Sequence, residues 1–273
     1  MRFARWMQIV RAGLPAFAFA AAAGTGSAAA ATPDAARTAP AHIVIVVEEN
    51  HGYSEIIGNP AAPFINELAA AGALYTDSHA VAHPSEPNYL ALFSGSTEGV
   101  ADDGGHLFPD PTLAGELRGA GMSFTGFVES GSPRKHNPWE SFVESRGVER
   151  PLSAFPADPR LLPTVAFVIP NLAHDMHNGT VSAGDRWLRA HLGRYAAWAP
   201  AHRSLLILTF DEDDNKAGNR IATIIAGAGI RPGPVGTPID HFSLLRTIEA
   251  LLGLPGLAAN KAAPVAVPGL LAP

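Results

Sequence analysis

The chain has 273 residues, 47% of them apolar, and carries a formal charge of −6 at pH 7 with no cysteine. That length and apolar content allow one large α/β domain or two small ones, with a substantial core. The missing cysteine excludes disulfides, thiol catalysis and thiolate metal sites, and the acidic balance argues against a general nucleic-acid or anionic-membrane binder.

Residues 1–31 have the build of a secretory signal peptide. Arg2, Arg5 and Arg11 lead into the mostly apolar run Ala12 to Ala23, and a small-residue stretch follows, with cleavage expected between Ala29 and Thr32. Pro15 and the Gly/Ser region leave fewer than the roughly 20 apolar residues that a retained span needs, so no stable membrane span is expected after cleavage. A linker at 32–40 precedes one catalytic domain at 41–255, and an Ala/Pro-rich tail follows at 256–273.

His42 to Asn50 reads as a strand whose β-branched residues run without alternation, as in a parallel sheet buried on both faces. Pro63 to Ala71 reads as a helix stopped by Gly72, and Ala73 to Val81 as a weaker strand. Pro84 disfavours helical dihedrals at His83 and Pro87 fits only a first helical turn, so a helix starts at about Ser85. Read alone, Ser85 is an N-cap bonded to the N–H of Asn88. The same position lies among the unpaired N–H groups of the helix start, which suits a phosphate and a partly ionised alkoxide.

Further on, Pro111 to Ala120 reads as a helix and Met122 to Val128 as a strand. Residues 129–163, rich in Gly, Pro, Ser and charge, are too long for a structureless loop and are expected to form a lid or cap beside the site. Strands at Thr164 to Ile169, Ser204 to Phe210 and Arg220 to Ala226 alternate with helices at Gly184 to Ala199 and Ile239 to Leu252. This order predicts an α/β fold with a mostly parallel central sheet flanked by helices. Four clusters, Glu48 to His51, His174 to His177, Asp211 to Asp214 and Asp240-His241, fall at strand ends or a helix start, where open α/β sheets bind ligands.

Carboxylates do not bind phosphate without a cation between them. The clusters therefore read as cages for one or two divalent ions, with zinc, magnesium, manganese and calcium all compatible with hard oxygen ligands and imidazole. A metal near Ser85 would lower its hydroxyl pKa. Asn88 could donate its amide to a phosphoryl oxygen, and Lys135 and His136 could approach a substrate from the lid. The reading requires an open Ser85 hydroxyl with the acidic groups within about 10 Å of it, since direct coordination spans roughly 2 to 2.6 Å.

The runs Glu48-Glu49-Asn50-His51, Ile57-Gly58-Asn59, Ala62-Pro63-Phe64-Ile65-Asn66, His83-Pro84-Ser85-Glu86-Pro87-Asn88-Tyr89 and Arg134-Lys135-His136-Asn137-Pro138-Trp139 resemble those of a bacterial phosphoesterase family. That family contains secreted acid phosphatases and non-specific phospholipases C, and the likeness continues through Ile169-Pro170-Asn171, Asp175-Met176-His177 and Asp211-Glu212-Asp213-Asp214 to His241. The resemblance implies an alkaline-phosphatase-like three-layer sandwich, with Ser85 as nucleophile and Asn88 as the phosphate-contacting amide. It carries metal ligation to Glu49, Asn50, Ser85, Asp211 and Glu212. Asp175, His177 and His241 match positions that hold a second metal or replace it with hydrogen-bond donors.

The expected activity is hydrolysis of phosphate monoesters by an exported enzyme, periplasmic or secreted, with His177 or water protonating the leaving alcohol. The short secreted phosphatases of the family are associated with removing the 3-phosphate of phosphatidylinositol 3-phosphate, which makes a phosphoinositide head group an expected substrate. A phospholipase C-type phosphodiesterase and a non-catalytic exported calcium-binding protein are the alternatives.

Overall fold

The computed structural model describes residues 39–257 and 260–266. The signal peptide, most of the linker and half of the tail lie outside the described residues. Eight strands form one sheet in the order β4-β3-β5-β1-β6-β7-β2-β8. They are β1 (His42–Glu48), β2 (Ala73–Tyr75), β3 (Phe124–Val128), β4 (Glu149–Pro151), β5 (Val165–Ile169), β6 (Ser204–Phe210), β7 (Thr223–Gly227) and β8 (Gly233–Val235). β7 pairs antiparallel with both neighbours; every other pairing is parallel.

The sequence pattern explains the layers. Alternate residues of β1 face opposite sides of the sheet, and both sides are buried: Ile43, Ile45 and Val47 in one core, Val44 and Val46 in the other. Helices α3 (Glu86–Ser94), α4 (Leu113–Gly119) and α6 (His241–Leu251) cover the first face through Tyr89, Phe93, Leu117, Leu245 and Ile248. The short α1 (Tyr53–Ile56) with α2 (Pro63–Ala71) and α5 (Val181–Trp198) covers the second through Ile56, Phe64, Leu68, Trp187 and Leu192. The α/β fold class expected from the sequence is therefore the fold observed. No helix of the described residues is long and apolar enough to cross a membrane.

Two local differences from the sequence reading matter for the site. The strand expected at Ala73 to Val81 stops at Tyr75, and the chain reaches Ser85 through isolated bridges at Ser78 and His79. Residues 129–163 form short 3-10 turns, the first of which carries Lys135 and His136, on both sides of β4, which joins the sheet edge.

Candidate active site

Because β1, β3, β5 and β6 run parallel, the segments that follow them leave the same edge of the sheet. β1 and β6 end in register at Glu48 and Phe210, which sets Glu49-Asn50 beside Asp211-Glu212. The backbone N–H of Asp211 donates to Glu48 O at 2.9 Å, and that of Asn50 donates to Asp211 Oδ1 at 3.1 Å. Asn50 has φ +54°, a left-handed conformation that asparagine tolerates better than most residues. The loop after β5 brings Asp175, and the turn after β3 brings Lys135 and His136.

Ser85 directly precedes α3, as expected, but it is not a capping residue. Its side chain makes no capping bond, and the N–H of Asn88 goes to the backbone carbonyl of Ser85 instead. The freed hydroxyl lies 3.4 Å from Glu49 Oε2 and 3.4 Å from Glu212 Oε1, and Lys135 Nζ donates to it at 3.3 Å. The acidic groups are thus far inside the distance the sequence reading demanded. The requirement of an open hydroxyl is not met: Ser85 is 1% exposed beneath Lys135, which also donates to Asp103 Oδ2 at 2.7 Å, so these side chains must move before a phosphoryl group can reach it. A cleft of about 880 Å³ between the 129–159 segment and α5 includes Asn137 and Arg194 in its walls but none of the partners of Ser85.

Glu49 is shared between two clusters of different character. On one side its Oε1 accepts from Tyr89 Oη at 2.6 Å and lies 3.0 Å from His136 Nε2, while His136 Nδ1 lies 3.5 Å from Asp175 Oδ2. Burial opposes protonation of His136, but the carboxylates of Glu49 and Asp175 outweigh it and raise the imidazole to about 9. The imidazolium therefore supplies this cluster with its own positive charge. Glu49, His136 and Asp175 each offer a donor atom within 4.8 Å of the others, so the group could also hold a metal ion. His136, expected at the substrate, is fully buried in this cluster.

On the other side Glu49 meets Asp211, Glu212 and Asn50. Burial, then the charges of Glu49 and Glu212, push the Asp211 carboxyl well above its ordinary value. Asp211 Oδ2 and Asn50 Oδ1 are buried without a hydrogen-bond partner. Such orphaned oxygens are costly, and a set of three acidic side chains, an amide oxygen and a serine hydroxyl suits a hard divalent cation. The donor types expected at Glu49, Asn50, Ser85, Asp211 and Glu212 suit such a cation, but among the described residues the acidic and histidine group whose donor atoms lie within 4.8 Å of one another is Glu49, His136 and Asp175.

The remaining sequence-derived candidates have other placements. Asn88 is fully engaged: its Nδ2 donates to Ala82 O and Pro84 O, and its Oδ1 accepts from the N–H groups of Val81 and Ala82. It fixes the approach to Ser85 and has no amide hydrogen left for a phosphoryl oxygen. His177 turns its Nδ1 to Asn178 Oδ1 at 3.0 Å, and its backbone N–H donates to Asp175 Oδ1. His241, buried and held below its ordinary pKa by that burial, donates from Nε2 to the backbone carbonyl of Asp211 at 2.7 Å.

Three contributors lay outside the sequence-derived set. His83 contacts Glu212 Oε2 at 2.6 Å and Asp213 Oδ1 at 3.2 Å, and the His-Pro-Ser run was its signal. Tyr89 reads as a core residue from its spacing, yet its hydroxyl binds Glu49, and burial followed by the Glu49 charge keeps it protonated. Asp103 had no signal beyond the turn composition Asp102-Asp103-Gly104-Gly105.

A family model described as the Phosphoesterase family matches residues 59–255. A phosphatidylinositol-3-phosphatase of Mycobacterium tuberculosis is 47% identical over 242 residues, covering 81% of this chain and 80% of that protein. An acid phosphatase of Aspergillus fumigatus is 30% identical over 231 residues, 70% of this chain but only 50% of the fungal protein. Among solved structures, an alkaline phosphatase superfamily protein from Vibrio parahaemolyticus aligns with a TM-score of 0.61 at 15% identity, covering 84% of this chain and 70% of that one. A phosphonate monoester hydrolase from Silicibacter pomeroyi aligns with a TM-score of 0.60 at 14% identity, covering 85% and 76%. At those identities the likeness is one of fold.

Proposed function

The chain belongs to the phosphoesterase family, and from that premise we propose that this phosphatase is an exported acid phosphatase acting through Ser85 and a divalent metal, with a phosphoinositide 3-phosphate among its substrates. The observation that carries the reading is the Ser85 hydroxyl, released from capping and held within 3.4 Å of both Glu49 and Glu212 at the carboxyl edge of the sheet. The substrate class rests on the 47% identity to the mycobacterial phosphatidylinositol-3-phosphatase.

Glu49, Asn50, Ser85, Asp211 and Glu212 would hold the metal, which when bound lowers the hydroxyl pKa and offsets phosphoryl charge. Ser85 Oγ passes its proton through Glu212 Oε1, 3.4 Å away, to water and attacks phosphorus in line with the leaving alcohol, giving a phosphoserine, while Lys135 Nζ, 3.3 Å from that oxygen, balances charge on the phosphoryl group. Asn88 keeps residues 81–84 in the geometry that aims Ser85. The leaving alcohol takes its proton from water or from His177, and water then attacks the phosphoserine to release phosphate and restore the hydroxyl.

Ser85→Ala should abolish hydrolysis of p-nitrophenyl phosphate while the thermal melt stays unchanged. Turnover near that of the native enzyme would remove the serine from the mechanism. Parallel assays on soluble phosphatidylinositol 3-phosphate and on phosphatidylcholine separate the monoesterase from a phospholipase C; faster cleavage of phosphatidylcholine would overturn the assignment.

A further inference from the structure

Asp103 takes up two donors beside Ser85. Its Oδ1 accepts from the backbone N–H of Glu86 at 3.0 Å, the first residue of the nine-residue α3, and its Oδ2 accepts from Lys135 Nζ at 2.7 Å. The same ammonium donates to Ser85 Oγ at 3.3 Å. A helix-start N–H and an ammonium beside a nucleophile are donors that phosphoryl oxygens use. While the carboxylate holds them, Ser85 is 1% exposed.

We propose that Asp103 is an internal stand-in for the phosphoryl group, occupying the donors that the substrate's phosphoryl oxygens take, so that a phosphomonoester binds by displacing it. This deepens the reading of Ser85 as phosphoryl acceptor and rests on it. Three observations agree with displacement by the side chain alone. Arg134 ties down the backbone just after Asp103, with NH1 donating to Gly104 O at 3.1 Å and NH2 to His106 O at 2.6 Å. Arg134 is itself anchored on Glu86 Oε1 at 3.0 Å. The Asp103 side chain is 32% exposed, which leaves solvent for it to rotate into. Bound in place, its charge adds to those of Glu49, Asp211 and Glu212 and repels a phosphate dianion; displaced, it leaves Lys135 free for the substrate.

The test uses the full mature chain, inorganic phosphate as competitive inhibitor and p-nitrophenyl phosphate as substrate, with Asp103→Ala, Asp103→Asn and Asp103→Glu. If the carboxylate holds the donors about four-fifths of the time, clearing it lowers the phosphate Ki and the KM together by about fivefold, because apparent affinity scales with the competent fraction. Asp103→Ala and Asp103→Asn should both show this fall, and Asp103→Glu should keep the native Ki. A residue that merely positions Lys135 behaves oppositely: KM and Ki rise and kcat falls. That result, or an unchanged Ki in whichever of the two neutral variants folds with a native thermal melt, overturns the proposal. Failure of the underlying reading registers separately, as turnover surviving in Ser85→Ala or as calorimetric phosphate binding indifferent to Lys135→Met.

Discussion

The two clusters that share Glu49 are built from similar residues and solve opposite problems. Between Glu49 and Asp175 lies His136, a buried cation supplied by the chain and stacked on Tyr89 with ring centroids 5.1 Å apart. Beside Glu49, Asp211 and Glu212 the positive charge stands at the rim instead, with Lys135 Nζ 3.3 Å from Ser85 Oγ and His83 2.6 Å from Glu212 Oε2. The contrast teaches that buried carboxylates alone do not tell a metal site from an ion pair; the two sides differ in how deeply their counter-charge is buried. One cluster carries a buried imidazolium of its own, and the other meets its counter-charge in the partly exposed Lys135 and His83.

Glu49 belongs to both, so Glu49→Gln should have the largest effect, cutting phosphomonoester turnover by at least about 10²-fold; activity within a few-fold of native would break the comparison at its centre. Stability separates the two sides by sign. His136→Ala leaves two buried carboxylates unpaired and should destabilise the chelated protein by about 3–5 kcal/mol in denaturant titrations. Asp211→Asn keeps an acceptor for the Asn50 N–H but removes a repelled charge, so the chelated protein should gain about 1 kcal/mol, with the gain becoming a deficit once a divalent cation is added. Equal signs for the two variants would show that the clusters are alike.

Cation binding itself should stabilise the native protein by about 2.7 kcal/mol at a hundredfold excess over Kd, read as a rise in melting temperature, and Asp211→Asn should lose most of that rise. The smallest effect is on pH. His136 is raised from 6.5 in the unfolded chain to about 9 in the folded one, so its stabilisation is complete below about pH 6.5 and is lost as the pH climbs through about 9. In chelator, unfolding followed between pH 6 and 10 should show this slope in the native protein, and His136→Ala should flatten it.

Much of this contrast could be read from the chain, because local chemistry dictated it. The unbroken β-branched run of β1 required burial on both faces, the prolines around Ser85 required a helix to start there, and the parallel order placed Glu49, Asp211 and Ser85 at one edge. What escaped depends on where long side chains end up. Lys135 covers Ser85 because Asp103, thirty-two positions earlier in the chain, receives its ammonium. His136 is protonated because two carboxylates from separate loops close on it, and Asn88 is occupied because residues 81–84 curl back onto its amide. β4 is three residues long and ends in proline, so it carries no periodic signal, and its place at the sheet edge is a property of the assembled fold.

The direction of β1 carries a practical corollary. The strand enters at His42 on the edge away from Ser85 and runs its seven residues, roughly 20 Å, before it reaches the acidic cluster. A support or fusion partner attached just ahead of Ala41 therefore meets the domain at the end opposite the acidic cluster. Immobilised by that end, the protein would offer the edge that carries Ser85 to the medium, an orientation suited to ligands displayed on a vesicle or a bead.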